Sequence, residues 1–164
     1  MEKAKVAKTP FVLSKDEGKA IWFVDGLIPV KASGEDTDNR WTVLEYLLPP
    51  GQLTPAHVHH AEDEAWYILE GTVNFRCGDR AFKATAGSFV FAPKDVVHGF
   101  QVDGSGAARM LVFASPTGFE KFVEEFGEPA KERALPDPRP LDIPRLLTLA
   151  EKYHFEVMPP PGDH

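Results

Sequence analysis

Gly51-Gln52-Leu53-Thr54-Pro55-Ala56-His57-Val58-His59-His60-Ala61-Glu62-Asp63-Glu64-Ala65-Trp66-Tyr67-Ile68-Leu69-Glu70-Gly71 is the stretch on which the reading of this chain turns. In an extended strand residues i and i+2 point to the same side, so His57 and His59 present two imidazoles to one face while His60 points away. Such a pair is a natural chelate. Imidazole nitrogen together with a carboxylate suits Fe, Ni, Mn, Co, Cu or Zn, and three or four protein ligands leave open positions for a substrate or O2. Glu64 lies at an odd offset from His59 and can face the same side only if the chain bends through His60-Ala61-Glu62-Asp63. Glu62, Asp63 and Glu64 all compete for the carboxylate role, and spacing alone leaves that choice open. A further histidine, His98, is the fourth candidate ligand.

Around this stretch, Ala20 to Ala114 reads as a series of short β-rich runs: Ile21–Val24, Trp41–Leu48, Ala65–Leu69, Thr72–Cys77, Arg80–Thr85, Ser88–Ala92, His98–Val102 and Arg109–Phe113. Pro49-Pro50-Gly51, Glu70-Gly71, Gly78-Asp79, Ala86-Gly87, Pro93-Lys94-Asp95 and Asp103-Gly104-Ser105-Gly106 separate them with turn chemistry. No helix-length amphipathic segment intervenes, so a βαβ pattern is absent and an antiparallel all-β core is expected.

After Phe113 the period changes. Phe119, Phe122, Val123 and Phe126 mark one face of a helix, with Thr117 and Glu120 as a capping box, Gly127 suited to a left-handed end, and Pro129 blocking continuation. A Pro-rich connector, Pro136 to Pro140, leads to a second helix behind Asp142, carrying Ile143, Leu146, Leu147 and Ala150. Both helices are expected to pack outside the β core. His154, near the end of the second, is expected to cap backbone carbonyls there. The first dozen residues read as a tail or as an arm reaching a partner subunit.

A chain of 164 residues is about one domain's worth. Its 43% hydrophobic and 26% charged content is that of an ordinary globular protein. The net charge of −7 repels a phosphate backbone and argues against nucleic acid as a partner. The lone Cys77 cannot close an internal disulfide, which together with the absence of a secretory-type N-terminus leads to an expected cytoplasmic location. No run approaches the ~18 apolar residues of a membrane span, so no membrane partner is expected. Cys77 reads as a small buried apolar residue.

The interval Gly51, five residues, His57-x-His59, four residues, Glu64, six residues, Gly71 resembles the first motif of the cupin superfamily in full. Gly87 through Pro93 to His98 resembles the second, with Asp95 where the family generally has Gly and Val102 where it often has Asn; neither departure removes a ligand. The resemblance implies a small antiparallel double-stranded β-helix, a jelly-roll barrel, over about residues 20–114, with a helical extension over about 116–158, as one domain spanning 1–164. It also selects Glu64 over its acidic neighbours, so that His57, His59, Glu64 and His98 hold one divalent transition metal. The narrower pattern Pro55-Ala56-His57-Val58-His59 to Gly71, with Ser115-Pro116-Thr117-Gly118-Phe119-Glu120-Lys121-Phe122 and the helix ending in Lys152-Tyr153, is similar to bacterial single-domain cupins grouped with quercetin 2,3-dioxygenase.

What that implies is a metal-dependent dioxygenase acting with O2 on a flavonol-like or other small aromatic or enol substrate, in a homodimer. Glu64 then completes the metal shell or takes the substrate's hydroxyl proton, its proton affinity raised by desolvation. Trp66 shares parity with Glu64, and Phe100 with His98, so both are candidates for the pocket wall. The alternatives are a metal-dependent isomerase, hydrolase or lyase of a small polar metabolite, which a cavity lined with Lys and Arg would favour, and a ligand-binding cupin without turnover.

Overall fold

Alternation of buried and exposed side chains marks several of the strands. In the strand β5 (Asp63–Glu70), Glu64, Trp66 and Ile68 are buried while Asp63, Tyr67 and Glu70 are exposed, as expected when one face of a sheet meets a core. The computed structural model describes residues 8–159; residues 1–7 of the expected N-terminal arm, and Pro160 and Pro161 of the closing Pro-rich end, lie outside them. The remaining strands, in chain order, are β1 (Ala20–Phe23), β2 (Gly26–Ala32), β3 (Thr42–Leu48), β4 (Leu53–His59), β6 (Thr72–Cys77), β7 (Arg80–Thr85), β8 (Phe89–Ala92), β9 (His98–Val102), β10 (Ala108–Ser115), β11 (Glu128–Pro129) and β12 (Phe155–Val157). The helices are α1 (Gly34–Thr37), α2 (Phe119–Phe126) and α3 (Ile143–Lys152). None is long and apolar enough to cross a membrane.

All pairings are antiparallel. One sheet of seven strands runs β11-β1-β2-β3-β10-β5-β8 and faces a second of five, β12-β4-β9-β6-β7. Their inner faces meet through aromatic rings: Trp66 of the first sheet lies 5.1 Å from Phe75 of the second, and Phe75 lies 5.4 Å from Phe100. Trp66, Ile68, Val73, Phe75, Val102, Met110 and Val112 are almost wholly removed from solvent, each such burial contributing about 1.5–3 kcal/mol. At the β5–β6 turn, Gly71 takes φ 83° and a Cβ there would sit 2.5 Å from the Ala107 carbonyl. No other residue fits that turn.

The β-rich reading of 20–114 describes these strands, with two additions. β2 escapes a period-2 reading because Gly26 to Val30 are all buried, and β4 because its residues from Leu53 to Ala56 are exposed or half-buried and carry Pro55. Val24 is not part of β1, its φ of 55° turning the chain toward β2.

The C-terminal third departs further from expectation. Thr117 does not cap α2; Gly118 is the N-cap, at φ 138°. Glu120 is buried and accepts from the Gly34 N–H at 3.0 Å, the Thr42 hydroxyl at 2.8 Å and the Gly118 N–H at 2.8 Å. It ties α2 to β3 and to the start of α1 instead of closing a capping box. Gly127 ends α2 in extended backbone, φ −79° and ψ −166°. It is glycine because a Cβ would meet the Trp22 carbonyl oxygen at 2.6 Å. α3 begins as read, Asp142 accepting from the Arg145 N–H at 3.1 Å. It stops at Lys152 with Tyr153 as its cap, as read, His154 adopts φ 61°, and the rest of the expected helical extension forms β12 beside β4. The described bonds of His154 at this helix end come from its backbone, its N–H reaching the Glu151 carbonyl at 3.3 Å.

The helices pack on the barrel through their apolar faces. Phe119 and Phe122 of α2, Leu146 of α3 and Phe155 of β12 join the core cluster and close one end of the space between the sheets. Because Glu120 carries three donors in a buried position, Glu120→Ala should lower stability by about 3 kcal/mol in a urea titration. A loss under about 0.5 kcal/mol, the range of neutral surface changes, would show that water replaces those bonds.

Candidate metal centre

Three strands from the two sheets deliver the four side chains singled out in the sequence. His57 and His98 are cross-strand partners on β4 and β9, and their ring centroids are 4.5 Å apart. His59 follows two residues along β4, its ring 4.9 Å from that of His57. Glu64 arrives from the other sheet. β4 ends at His59 and β5 begins at Asp63, so residues 60–62 are the bend that carries the chain from one sheet to the other and cancels the odd offset. One ligand atom from each of His57, His59, Glu64 and His98 lies within 4.8 Å of all the others.

Each ring is oriented through its outer nitrogen. His57 Nδ1 lies 2.8 Å from the Pro55 carbonyl oxygen and His98 Nδ1 lies 2.9 Å from that of Val96. A carbonyl only accepts, so both Nδ1 atoms carry hydrogen and both Nε2 atoms turn inward. His59 is held differently. Its Nδ1 lies 2.8 Å from Glu62 Oε1 and its Nε2 lies 3.1 Å from Glu64 Oε2, with all three side chains buried. His98 Nε2 reaches the same Glu64 oxygen at 2.9 Å.

The electrostatics follow from these contacts. Burial, and then the neighbouring His98, lowers the His57 pKa to about 4, leaving a neutral ring. Burial would also lower His59, but the charge of Glu64 and the contacts with both carboxylates outweigh it and raise the pKa to about 10. For Glu64, burial favours the neutral acid, as the sequence reading supposed. Interaction with His59 and His98 reverses that expectation and holds the carboxyl well below its ordinary range. Glu64 is therefore an anion at neutral pH.

This environment fits a divalent cation. Both ring nitrogens of His59 are buried without a well-directed hydrogen bond, despite the nearby carboxylates. An imidazole set with one anionic carboxylate is the donor chemistry of first-row transition metals, and His57, His59, Glu64 and His98 are the residues that would hold the ion.

The surroundings of the centre are apolar. A cavity of about 100 Å³ adjoins it. Tyr46, Trp66, Phe100, Phe119, Phe122 and Phe155 are among its walls, together with His57, His59 and Glu64. Trp66 and Phe100 are among the residues that line it. Tyr46 is kept protonated by burial and by the Glu64 charge. Cys77 is a free, buried thiol whose pKa burial pushes up.

Other residues fall outside the cluster. Asp63 is exposed and accepts from the Lys94 N–H at 2.8 Å. His60 points outward, its Nδ1 2.7 Å from Asp95 and its Nε2 2.6 Å from Glu156, tying β12 to the loop before β9. Asp95 takes φ 65°, the left-handed conformation that glycine supplies elsewhere and that Asp tolerates better than most residues. Sequence reasoning missed Glu62 as a partner of His59; its i+3 offset from that histidine is the available signal. Phe155 and Leu146 left no signal, because they reach the cavity only through the fold of the C-terminal third.

Residues 44–114 match the family model of the cupin domain. The fold agrees. A predicted oxalate decarboxylase from Thermotoga maritima superposes with a TM-score of 0.60 at 21% identity, over 65% of this chain and 99% of the other. An RmlC-like cupin from Shewanella frigidimarina gives 0.58 at 18%, over 71% and 100%. The polyketide cyclase RemF from Streptomyces resistomycificus gives 0.56 at 24%, over 65% and 80%. No curated protein matches the sequence. Residues 44–114 are thus similar to a cupin domain, within an all-β jelly-roll fold whose His/Glu cluster could hold a metal ion.

Metal uptake must displace the His59 proton, since His57 is already neutral and Glu64 already ionised. Titration with Zn2+ or Ni2+ should release at least one proton per ion, and apparent affinity should rise at least tenfold per pH unit near neutrality, below His59's value of about 10. Calorimetry in buffers of different ionisation enthalpy reads both. Glu62→Ala should weaken the metal by about 10–100-fold and Glu62→Gln by less; equal affinities for all three proteins would remove Glu62 from the centre.

Proposed function

We propose that this protein is a metal-dependent dioxygenase that acts with O2 on a flat, largely apolar substrate bearing an acidic hydroxyl, such as a flavonol or a related enol. The observation that carries this reading is the cavity wall. Among the described residues, its cationic candidates are limited to the histidines at the centre, and neither Lys nor Arg lines it. A phosphorylated or polycarboxylate metabolite would bring charge into a space with no cation to receive it beyond the centre, at a cost of several kcal/mol. An aromatic ring system meets the opposite situation, with Phe100, Phe119, Phe122 and Phe155 offering apolar surface and Tyr46 a protonated hydroxyl for a polar substituent. The isomerase, hydrolase or lyase of a small polar metabolite is the less favoured reading on this ground.

When bound, the ion supplies Lewis acidity to a substrate oxygen and lowers the pKa of its hydroxyl. The chain's own residues do the rest. His57, His59 and His98 fix the position of that oxygen through rings whose outer nitrogens are already engaged. Glu64 is the base nearest to it. While His59 is protonated Glu64 is a weak base, its charge compensated by the imidazolium. With that proton displaced by the ion, Glu64 would remain compensated, and it would accept the substrate's proton through a carboxylate oxygen not held by the ion. The aromatic walls exclude water from the reacting face of the substrate.

Glu64→Gln preserves shape and removes the charge and the basic oxygen. It should keep a large part of the bound metal and lose most turnover, about 100-fold or more, in oxygen-uptake assays on flavonols and other aromatic enols with each candidate metal. Unchanged turnover in that variant would rule Glu64 out as the base. Metal uptake by the wild type with no O2 consumed on any of these compounds would favour a ligand-binding cupin without turnover.

A further inference from the structure

We propose that Trp66 and Gln52 set the specificity of the cavity beside the metal centre. The Trp66 indole N–H receives a second oxygen of the substrate, next to the one held at the centre, and the Gln52 side chain receives a hydroxyl further away. This deepens the reading of the cavity as a site for an oxygen-bearing ring, and rests on it.

A buried donor or acceptor is nearly always satisfied in a folded protein, and each exception calls for a reason. Among the described residues, the buried side-chain nitrogens and oxygens without a well-directed hydrogen bond are both ring nitrogens of His59, Trp66 Nε1, Gln52 Oε1 and Arg109 Nε. Arg109 is accounted for by the Glu45 carboxylate 3.0 Å away. His59 is accounted for by Glu62, by Glu64 and by the cluster to which its ring belongs. Trp66 and Gln52 remain, and both line the same cavity. Phe at the first position and Leu at the second would fill similar space without burying an unpaired polar atom.

Trp66 has no freedom to seek an acceptor elsewhere. It is 1% exposed, and its ring centroid lies 5.1 Å from that of Phe75 and 5.4 Å from that of His98. The contact with His98 sets the indole beside the metal centre, where an oxygen adjacent to the one on the ion is the natural acceptor. Gln52 immediately precedes β4, the strand that ends in His57 and His59, and so marks the part of the cavity away from the centre. Its backbone is fixed there, the Val102 N–H donating to its carbonyl at 2.9 Å. A buried carboxamide oxygen accepts from a hydroxyl. Both groups are uncharged, so they select neutral oxygen functions on an apolar ring over phosphate or carboxylate.

The full-length, zinc-loaded protein held without O2 tests this by binding alone, independently of turnover. In NMR titrations the wild type should bind catechol about tenfold or more tightly than phenol. Trp66→Phe, which keeps a ring and removes the N–H, should cut that preference by about tenfold to a hundredfold. Chelation by the ion favours catechol in both proteins and cancels in the comparison. Gln52→Met should cut, by about tenfold, the preference for catechols with a terminal hydroxyl on a short alkyl chain over plain alkylcatechols of the same length. If Trp66→Phe does not fold and hold its zinc, the nitrogen-labelled wild type serves: catechol should move the Trp66 indole N–H resonance downfield and phenol should leave it in place. An unchanged preference in either folded variant, or an indole resonance indifferent to catechol, overturns the role of that residue and leaves the dioxygenase reading standing. Failure of every probe to bind overturns both.

Discussion

A buried carboxylate surrounded by imidazoles is the constraint around which this molecule is arranged. Glu64 lies inside an aromatic barrel where an isolated charge would be prohibitively unstable. Contact with His59 and His98 keeps it ionised there. The imidazoles come from one sheet and the carboxylate from the other, so the balance holds only while the two sheets are in register across the core. Trp66, Phe75 and Phe100 maintain that register from beneath. The polar centre and the hydrophobic core are therefore one structure.

The same arrangement explains why the centre suits a metal. Without an ion, His59 must carry a proton to balance Glu62 and Glu64, and its ring nitrogens lack well-directed partners. A divalent cation satisfies the same carboxylate and both inward histidine nitrogens at once. The carbonyls of Pro55 and Val96 and the carboxylate of Glu62 have already set the ring orientations. Little reorganisation then accompanies binding, which is how outer partners contribute to metal affinity. The C-terminal third completes the site with apolar material: α2, α3 and β12 turn an open barrel end into an aromatic-walled cavity without a Lys or Arg in its wall.

Much of this was legible in the chain because it depends on short-range geometry. Strand parity places His57 and His59 together and His60 outside, and two-residue turn signals bound β6 and β7 at the residues observed. Parity also puts Trp66 and Phe100 on the ligand side. Where the reading failed, contacts distant in sequence decided the outcome. Glu120 looked like the end of a capping box because Thr117 precedes it by three residues. It turned instead to Thr42 and Gly34, which no local pattern connects to it. Gly127 looked like a left-handed cap, but the close approach of the Trp22 carbonyl is what requires a glycine there.

The sequence by itself determined the antiparallel all-β class and the metal-capable chemistry of two clusters, because both rest on side-chain direction along a strand and on donor type. Spacing could not choose among Glu62, Asp63 and Glu64; resemblance to cupins made that choice, and the bend from one sheet to the other gives it a physical basis. Tertiary structure alone decided that Glu64 is anionic rather than neutral, that Glu62 backs His59, and that a strand formed by the chain's last described residues walls the cavity. Each of those depends on charges and surfaces brought together across long stretches of chain, and a linear pattern holds no record of such distances.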